Sequence, residues 1–210
     1  MNVIHFILRN QAQVLQLTLE HLWLVGLSTA FAILIGVPLG ILIAQRPKFN
    51  KPVLASANII QTIPSLALFG FLLPMPWLGA RSDRLAILAL TLYALLPIIR
   101  NTYTGICGVD PAVVEAARGM GLTRSQLLFQ VQLPLAASVI LSGIRIAVVI
   151  SVGLATIAAA IGAGGLGEFI FRGLAMVDDR VILAGAIPAA ILALAADVSV
   201  GFVERRLRPR

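Results

Sequence analysis

The stretch Asp110–Pro134, DPAVVEAARGMGLTRSQLLFQVQLP, decides how the rest of the chain is read. It is a polar island between long apolar runs. Asp110 suits a helix N-cap and Pro111 the first helical position, where a missing N–H costs nothing. About two helical turns are expected over Val113 to Met120, with Gly121 closing them in a left-handed conformation. Thr123-Arg-Ser-Gln126 fits a capping box that opens a second helix. That helix carries Leu127, Leu128 and Val131 on one face and is expected to stop before Pro134. A helix, a glycine turn and a second helix also make a DNA-binding motif. Here, however, apolar runs long enough to span a bilayer lie close on both sides, which places the island against a membrane.

Composition points the same way. Of 210 residues, 59% are hydrophobic and 12% charged, with a mean hydropathy of +0.98. Soluble domains average about 25% charged residues, so this is the composition of a membrane protein. The single cysteine, Cys107, excludes an internal disulfide and a thiolate cluster for zinc. The formal charge of +7 sits mostly in short loops and the tail beside apolar runs. Such placement speaks for membrane orientation and against a nucleic-acid partner.

Five spans are expected, at about 22–44, 53–73, 85–107, 135–161 and 181–203. Residues 1–21 mix Arg9, Glu20, His5 and His21 with Gln and Leu, and read as an N-terminal extracytoplasmic or interfacial segment. Leu22 to Ala44 is an uncharged run of 23 residues, too long for a signal peptide and without a basic leader. The second run carries Gln61-Thr62-Ile63-Pro64, and Pro64 removes a backbone donor in mid-span, so a kink or break is expected there. Trp77 suits a membrane interface. The third run, Leu85 to Ile99, has only 15 residues and gains length from uncharged Asn101 to Val109, with Arg100 snorkelling toward water. Gly162 to Arg180 reads as a glycine-rich loop between the last two spans, and 208–210 ends a basic tail.

With the island at 110–134 inside, the cytoplasmic side holds Arg46, Lys48, Lys51, Arg100, Arg118, Arg124, Arg205, Arg206, Arg208 and Arg210, ten basic residues. The outside holds five: Arg9, Arg81, Arg84, Arg172 and Arg180. The positive-inside rule therefore sets the N-terminus outside and the island and C-terminus in the cytoplasm.

Two charges fall inside spans, Arg145 and Asp197, and are functional candidates on that ground. Arg145 lies eleven residues from Pro134 and Asp197 seven before Glu204, so both belong to the cytoplasmic half. At ~1.5 Å per residue their depths differ by roughly 6 Å, and they are expected to pair, within one chain or across a subunit boundary. Gly162-Ala-Gly164-Gly165-Leu-Gly167 matches a dinucleotide fingerprint, yet it follows a membrane helix and no βαβ pattern surrounds it. A turn or close helix packing is the better reading. No catalytic constellation appears around His5 or His21, and there is no G-x-x-x-x-G-K-[ST] phosphate loop. The chain is read as non-catalytic, with no cofactor of its own.

Within the island, Glu115-Ala116-Ala117, Gly121 and Val131-Gln132-Leu133-Pro134 resemble the EAA loop of ABC-importer permeases, whose pattern ends in Ile-x-Leu-Pro; Val131 departs mildly and stays β-branched. The resemblance runs from about Leu22 to Leu207 and is nearest the osmoprotectant branch, importers of glycine betaine, choline or carnitine. The residues that suggest the branch are Ile60-Gln-Thr-Ile-Pro-Ser-Leu66, Tyr93-Ala-Leu-Leu-Pro-Ile-Ile-Arg-Asn-Thr-Tyr-Thr-Gly105, Ile161-Gly-Ala-Gly-Gly-Leu-Gly-Glu168 and Phe171-Arg-Gly-Leu174. Methionine-type permeases share the plan and parts of these runs.

The resemblance implies an all-α integral membrane fold with a cytoplasmic helix-turn-helix coupling loop, and a transmembrane domain over 22–207. It implies a complex of two permease subunits, two ATPases that bind ATP and Mg, and an extracytoplasmic substrate-binding protein, set in the bacterial inner membrane. Glu115, Ala116, Ala117, Gly121, Leu133 and Pro134 then become the ATPase-coupling residues. Gln61, Thr62, Pro64 and Ser65 are the candidate translocation path. Two other classes stay open from residues alone. An ion-coupled secondary transporter would show internal repeats and midplane acids, and Asp197 is the lone acid in a span. A membrane scaffold would show no substrate flux.

Overall fold

The structure is a computed structural model and describes residues 3–75 and 81–207. All of its elements are helical. In chain order they are α1 (Val3–Arg9), α2 (Gln11–Gln45), a 3₁₀ turn at Pro47–Phe49, α3 (Asn50–Thr62), α4 (Ser65–Leu72), α5 (Ser82–Cys107), α6 (Pro111–Gly119) and α7 (Arg124–Gln126). A π-helical stretch, Leu127–Gln132, leads into α8 (Leu133–Ala158); a 3₁₀ turn, α9 (Gly167–Met176) and α10 (Asp179–Arg206) complete the chain. Trp77 and residues 208–210 lie outside the described residues.

Four helical stretches are long and apolar enough to cross a membrane: Gln11–Gln45, Ser82–Cys107, Arg124–Ile161 and Asp179–Arg206. A fifth span is present if the bent pair Pro47–Thr62 and Ser65–Leu72 is counted as one. The break expected at Pro64 within the second span at 53–73 is present, with a 97° bend between its halves. Pro64 explains the position: it offers no N–H to Ile60, and Ile63 turns out of the helix at φ −69°, ψ 126°.

Two expectations are corrected. Helix α2 begins at Gln11 rather than Leu22, because Gln, Leu and Ala at 11–19 are good helix formers with no Gly or Pro to stop them. Leu17 in that early part is buried with Leu166, Phe169, Val181 and Ala189, so residues 11–21 are helix packed along one side, with Leu15 and Leu19 exposed on the other. Phe6 of α1 meets Phe169 edge-on, the rings 6.2 Å apart at 80°. The stretch 162–180 is likewise no plain loop, since α9 occupies 167–176.

Helix α5 is the axis of the packing. Of its most apolar window 61% is buried, against 33%, 28% and 22% for the other three spans, which therefore each keep a face for lipid or for partners. The largest core cluster joins Leu24 and Val25 of α2, Leu68, Phe69 and Leu72 of α4, Leu85 to Tyr93 of α5, and Val152, Ala155 and Ala158 of α8. Helices approach α5 closely where a side chain is absent. At Gly143 of α8 an added Cβ would stand 2.5 Å from Asn101 Cβ and 2.7 Å from the Pro97 carbonyl oxygen. Small residues at such crossings replace the hydrophobic driving force that lipid removes.

Gly143→Ala is expected to destabilise the detergent-solubilised protein by about 1–3 kcal/mol, the usual cost of overpacking. Gly26→Ala, whose Cβ meets nothing within 4 Å, should leave it unchanged. Thermal unfolding of both variants checks this, and equal melting would refute the close crossing.

Candidate functional site

The island is built by explicit capping. Asp110 Oδ1 accepts from the Ala112 N–H at 2.8 Å, and Pro111 occupies the first turn of α6. At the other end Gly121 takes φ +86°; its N–H donates to Arg118 O at 2.9 Å and the Leu122 N–H to Ala117 O at 3.2 Å. This pair of bonds is a Schellman closure, and it turns the chain sharply. Thr123 and Gln126 form a reciprocal capping box, with Gln126 Oε1 accepting from the Thr123 N–H at 2.9 Å and Thr123 Oγ1 from the Gln126 N–H at 3.3 Å.

The second helix does not stop before Pro134. It passes through the π-helical stretch and runs on as α8, so that Arg124–Ile161 is one helical stretch of 38 residues. A widened turn accommodates the proline. Pro134 has no N–H for the Gln130 carbonyl, and its ring would crowd that oxygen in a regular α-turn. The wider i→i−5 pattern, seen in the Leu133 N–H donating to Leu128 O, shifts the register and lets the helix continue.

On this frame Ala117, Leu127 and Leu128 are buried, and Leu128 packs with Ile106 and Ala136 against partly buried Leu133. Glu115, Ala116, Gly121 and Pro134 are exposed. Two apolar side chains also project outward and escaped the sequence reading: Met120, 75% exposed, and Phe129, 65% exposed. Large apolar residues on an otherwise polar island were the clue.

Arg145 and Asp197 meet within one chain. Arg145 Nε donates to Asp197 Oδ1 and an Arg145 terminal nitrogen to Asp197 Oδ2, both at 2.6 Å, a bidentate pair between α8 and α10. The other terminal nitrogen lies 3.5 Å from Glu204 Oε2. Glu204 lies just beyond the expected last span at 181–203, yet 197, 201 and 204 repeat at i, i+4 and i+7 on one face of α10. A cleft of about 330 Å³, lined by Ser142, Arg145, Ile146, Val149, Ile150 and Asp197, opens beside the pair.

Gln61, Thr62, Pro64 and Ser65 surround the break between α3 and α4. Gln61 Nε2 donates to the Tyr93 carbonyl at 2.9 Å. That carbonyl lacks its helical donor because the residue four positions on is Pro97, inside α5. The Tyr93 hydroxyl in turn donates to the Ile63 carbonyl, left free by the break. Thr62 Oγ1 bonds back to Ile59 O at 2.7 Å. Gln61 is thus a tie between two interrupted helices, and Tyr93 is its missed counterpart. The signal was there in the sequence as Pro97 four residues after Tyr93.

The glycine loop is held by residues of α2. Glu20 Oε2 accepts from the Gly165 N–H at 3.1 Å, while Gln16 Nε2 donates to Glu20 Oε1 at 2.9 Å. Buried His21 places Nε2 3.1 Å from the Val152 carbonyl of α8. Loop, ion pair and broken helix lie on different helix pairs, and no single site gathers them.

The fold is a helical bundle with an axial helix, a broken span and a doubly capped loop. The chain belongs to the family of binding-protein-dependent transport system inner membrane components, whose model matches residues 36–209. It is 46% identical over 202 residues to the glycine betaine/carnitine/choline transport system permease protein OpuCD of Bacillus subtilis, covering 96% of this chain and 87% of that protein. It is 45% identical over 199 residues to the osmoprotectant import permease protein OsmW of Salmonella typhimurium, covering 94% and 93%. Among solved structures, an inward-facing conformation of the MetNI methionine ABC transporter superposes with TM-score 0.86 at 25% identity, over 95% of this chain and 98% of that one. The chain is accordingly a multi-pass inner-membrane permease component.

Two tests follow from the geometry. Gln61→Leu strips the Tyr93 carbonyl of its donor and should cost about 1–3 kcal/mol. In a Pro97→Ala background a backbone N–H replaces that donor, so the same change should cost clearly less; an undiminished loss of melting temperature would sink the account. For the ion pair, Arg145→Ala, Asp197→Ala and the double variant should melt non-additively, the double no lower than the worse single. Simple addition of the two losses would mean no coupling.

Proposed function

We propose that this chain forms the translocation path for a small osmoprotectant of the glycine betaine, choline or carnitine type. In this reading it works with a second permease subunit, two ATPase subunits that bind ATP and Mg, and an extracytoplasmic substrate-binding protein. The observation that carries the transport reading is the island. A short helix fixed at both ends by Asp110 and by the Gly121 closure presents Glu115, Ala116 and Met120 outward on a rigid arm. Because the following helix is continuous with α8, a push on the island is delivered to a span without a loop to absorb it.

Glu115, Ala116 and Gly121 are assigned to ATPase docking, buried Ala117 to seating the island, and Leu133 and Pro134 to the rigid junction. Arg145 and Asp197 tie α8 to α10, and Gln61 with Pro64 holds the broken span, while Thr62 and Ser65 flank it. The substrate class rests on the two relatives named for osmoprotectants. The close superposition on a methionine transporter supports methionine as the second reading. The charge distribution supports an N-terminus outside and a C-terminus in the cytoplasm.

The test is co-purification with the cognate ATPase, comparing wild type with Glu115→Arg and Gly121→Trp. Beyond its chain neighbours, nothing lies within 4 Å of a Cβ at Gly121, so the strain of a side chain at φ +86° is the first effect of the substitution. Retention by wild type and at least ten-fold loss by folded variants is expected. Binding as strong as wild type would remove the docking assignment. Uptake of labelled glycine betaine against methionine by the same complex in vesicles separates the substrates. Cys107 should react with an impermeant maleimide only in inside-out vesicles.

A further inference from the structure

A second cleft, of about 490 Å³, lies where α2 and α5 end beside the island, within the size range of small-ligand sites. It is lined by Arg46, just beyond α2, Arg118 of α6 and Arg124 of α7. Gln45 and Gln132 add amide groups, and Ala44, Ile106 and Leu127 add an apolar wall. Its lining includes no carboxylate. Among the described residues none of the three guanidiniums stands within ion-pair distance of an acid, whereas Arg145 and Arg180 do. Three like charges from separate elements repel one another in such a cleft, and an anion there relieves the repulsion.

We propose that this cleft binds the phosphate of an anionic phospholipid headgroup. A guanidinium fork matches the oxygens of a phosphodiester and binds them in pairs. The level is also right. Ala44 and Ile106 are among the last apolar residues of two spans, and the arginines follow where the chain leaves the apolar layer. Basic pockets between spans at the cytoplasmic face are suited to acidic headgroups. The apolar wall gives the start of the acyl chains a surface to lie on. A bound lipid would join the end of α2 to both sides of the Gly121 turn, so membrane composition would set how firmly the island is held. Assignment to the cytoplasmic leaflet rests on the orientation proposed above. The binding itself does not, so the two can fail separately.

Cys107 lines the same cleft, is exposed and is the only cysteine in the chain, so it reports on occupancy without engineering. The rate of its maleimide labelling, followed by mass spectrometry of its peptide, is measured on the complex in mild detergent at fixed ionic strength. The additions are short-chain phosphatidylglycerol, phosphatidylcholine or inorganic phosphate. Phosphatidylglycerol should slow labelling several-fold and phosphatidylcholine should not. Arg46→Gln, Arg118→Gln and Arg124→Gln should each raise the half-protecting concentration about five-fold. The triple variant, checked for unchanged melting, should lose protection. Protection by inorganic phosphate without protection by phosphatidylglycerol would assign the cleft to a soluble anion and overturn the lipid proposal. Equal protection in the triple variant, or none in wild type, overturns it as well. So does a Cys107 that labels in the lone chain but is blocked in the lipid-free complex, because the ATPase would then fill the cleft.

Discussion

A backbone carbonyl robbed of its helical donor cannot be left bare in hydrocarbon, where no water replaces the lost bond. Prolines inside the spans impose that condition, Pro38 of α2 and Pro188 of α10 among them, and three further prolines have visible answers in the architecture. Pro97 frees the Tyr93 carbonyl, which Gln61 then satisfies from the neighbouring helix. Pro64 ends α3, and the free Ile63 carbonyl is taken by the Tyr93 hydroxyl. The two interruptions stabilise each other, so a broken span can sit against the most buried helix of the bundle. Pro134 is answered differently, by a π-helical stretch that keeps the island and α8 mechanically continuous.

The same economy governs the charges. Arg145 sits in a span with both of its donor edges aimed at carboxylates of α10, which offsets the cost of keeping ions at membrane depth. Glu20, another acid in a long apolar helix, accepts a backbone N–H of the glycine loop. Each of these ions therefore joins two elements that are distant in sequence. The arginines around the end of α2 have, among the described residues, no acid within ion-pair distance, and they lie at the edge of the apolar layer.

Rigidity and exposure are divided along the chain. The caps at Asp110, Gly121 and Thr123 fix the island locally, while Met120 and Phe129 remain uncovered on its surface. Helices α2, α8 and α10 keep much of their surface outward, as a subunit that meets lipid on one side and other subunits on another must. The island, capped at both ends and continuous with α8, is a rigid extension of that span.

The sequence by itself determined the membrane class, the caps of the island, the turn at Gly121 and the break at Pro64. All of these follow from composition or from the backbone chemistry of a few adjacent residues. It also placed Arg145 and Asp197 at similar depth, because rise per residue is fixed in a helix. Only the tertiary structure decided which partners the freed groups find. Gln61 reaching Tyr93, Glu204 joining the ion pair and Glu20 holding Gly165 each bring together residues far apart in the chain, and no local pattern encodes such meetings. The helix through Pro134 belongs here as well. The proline alone does not decide whether a helix ends or is carried through a widened turn; here Leu128 and Ala136, on either side of it, are buried with Ile106, and that packing exists only in the folded molecule.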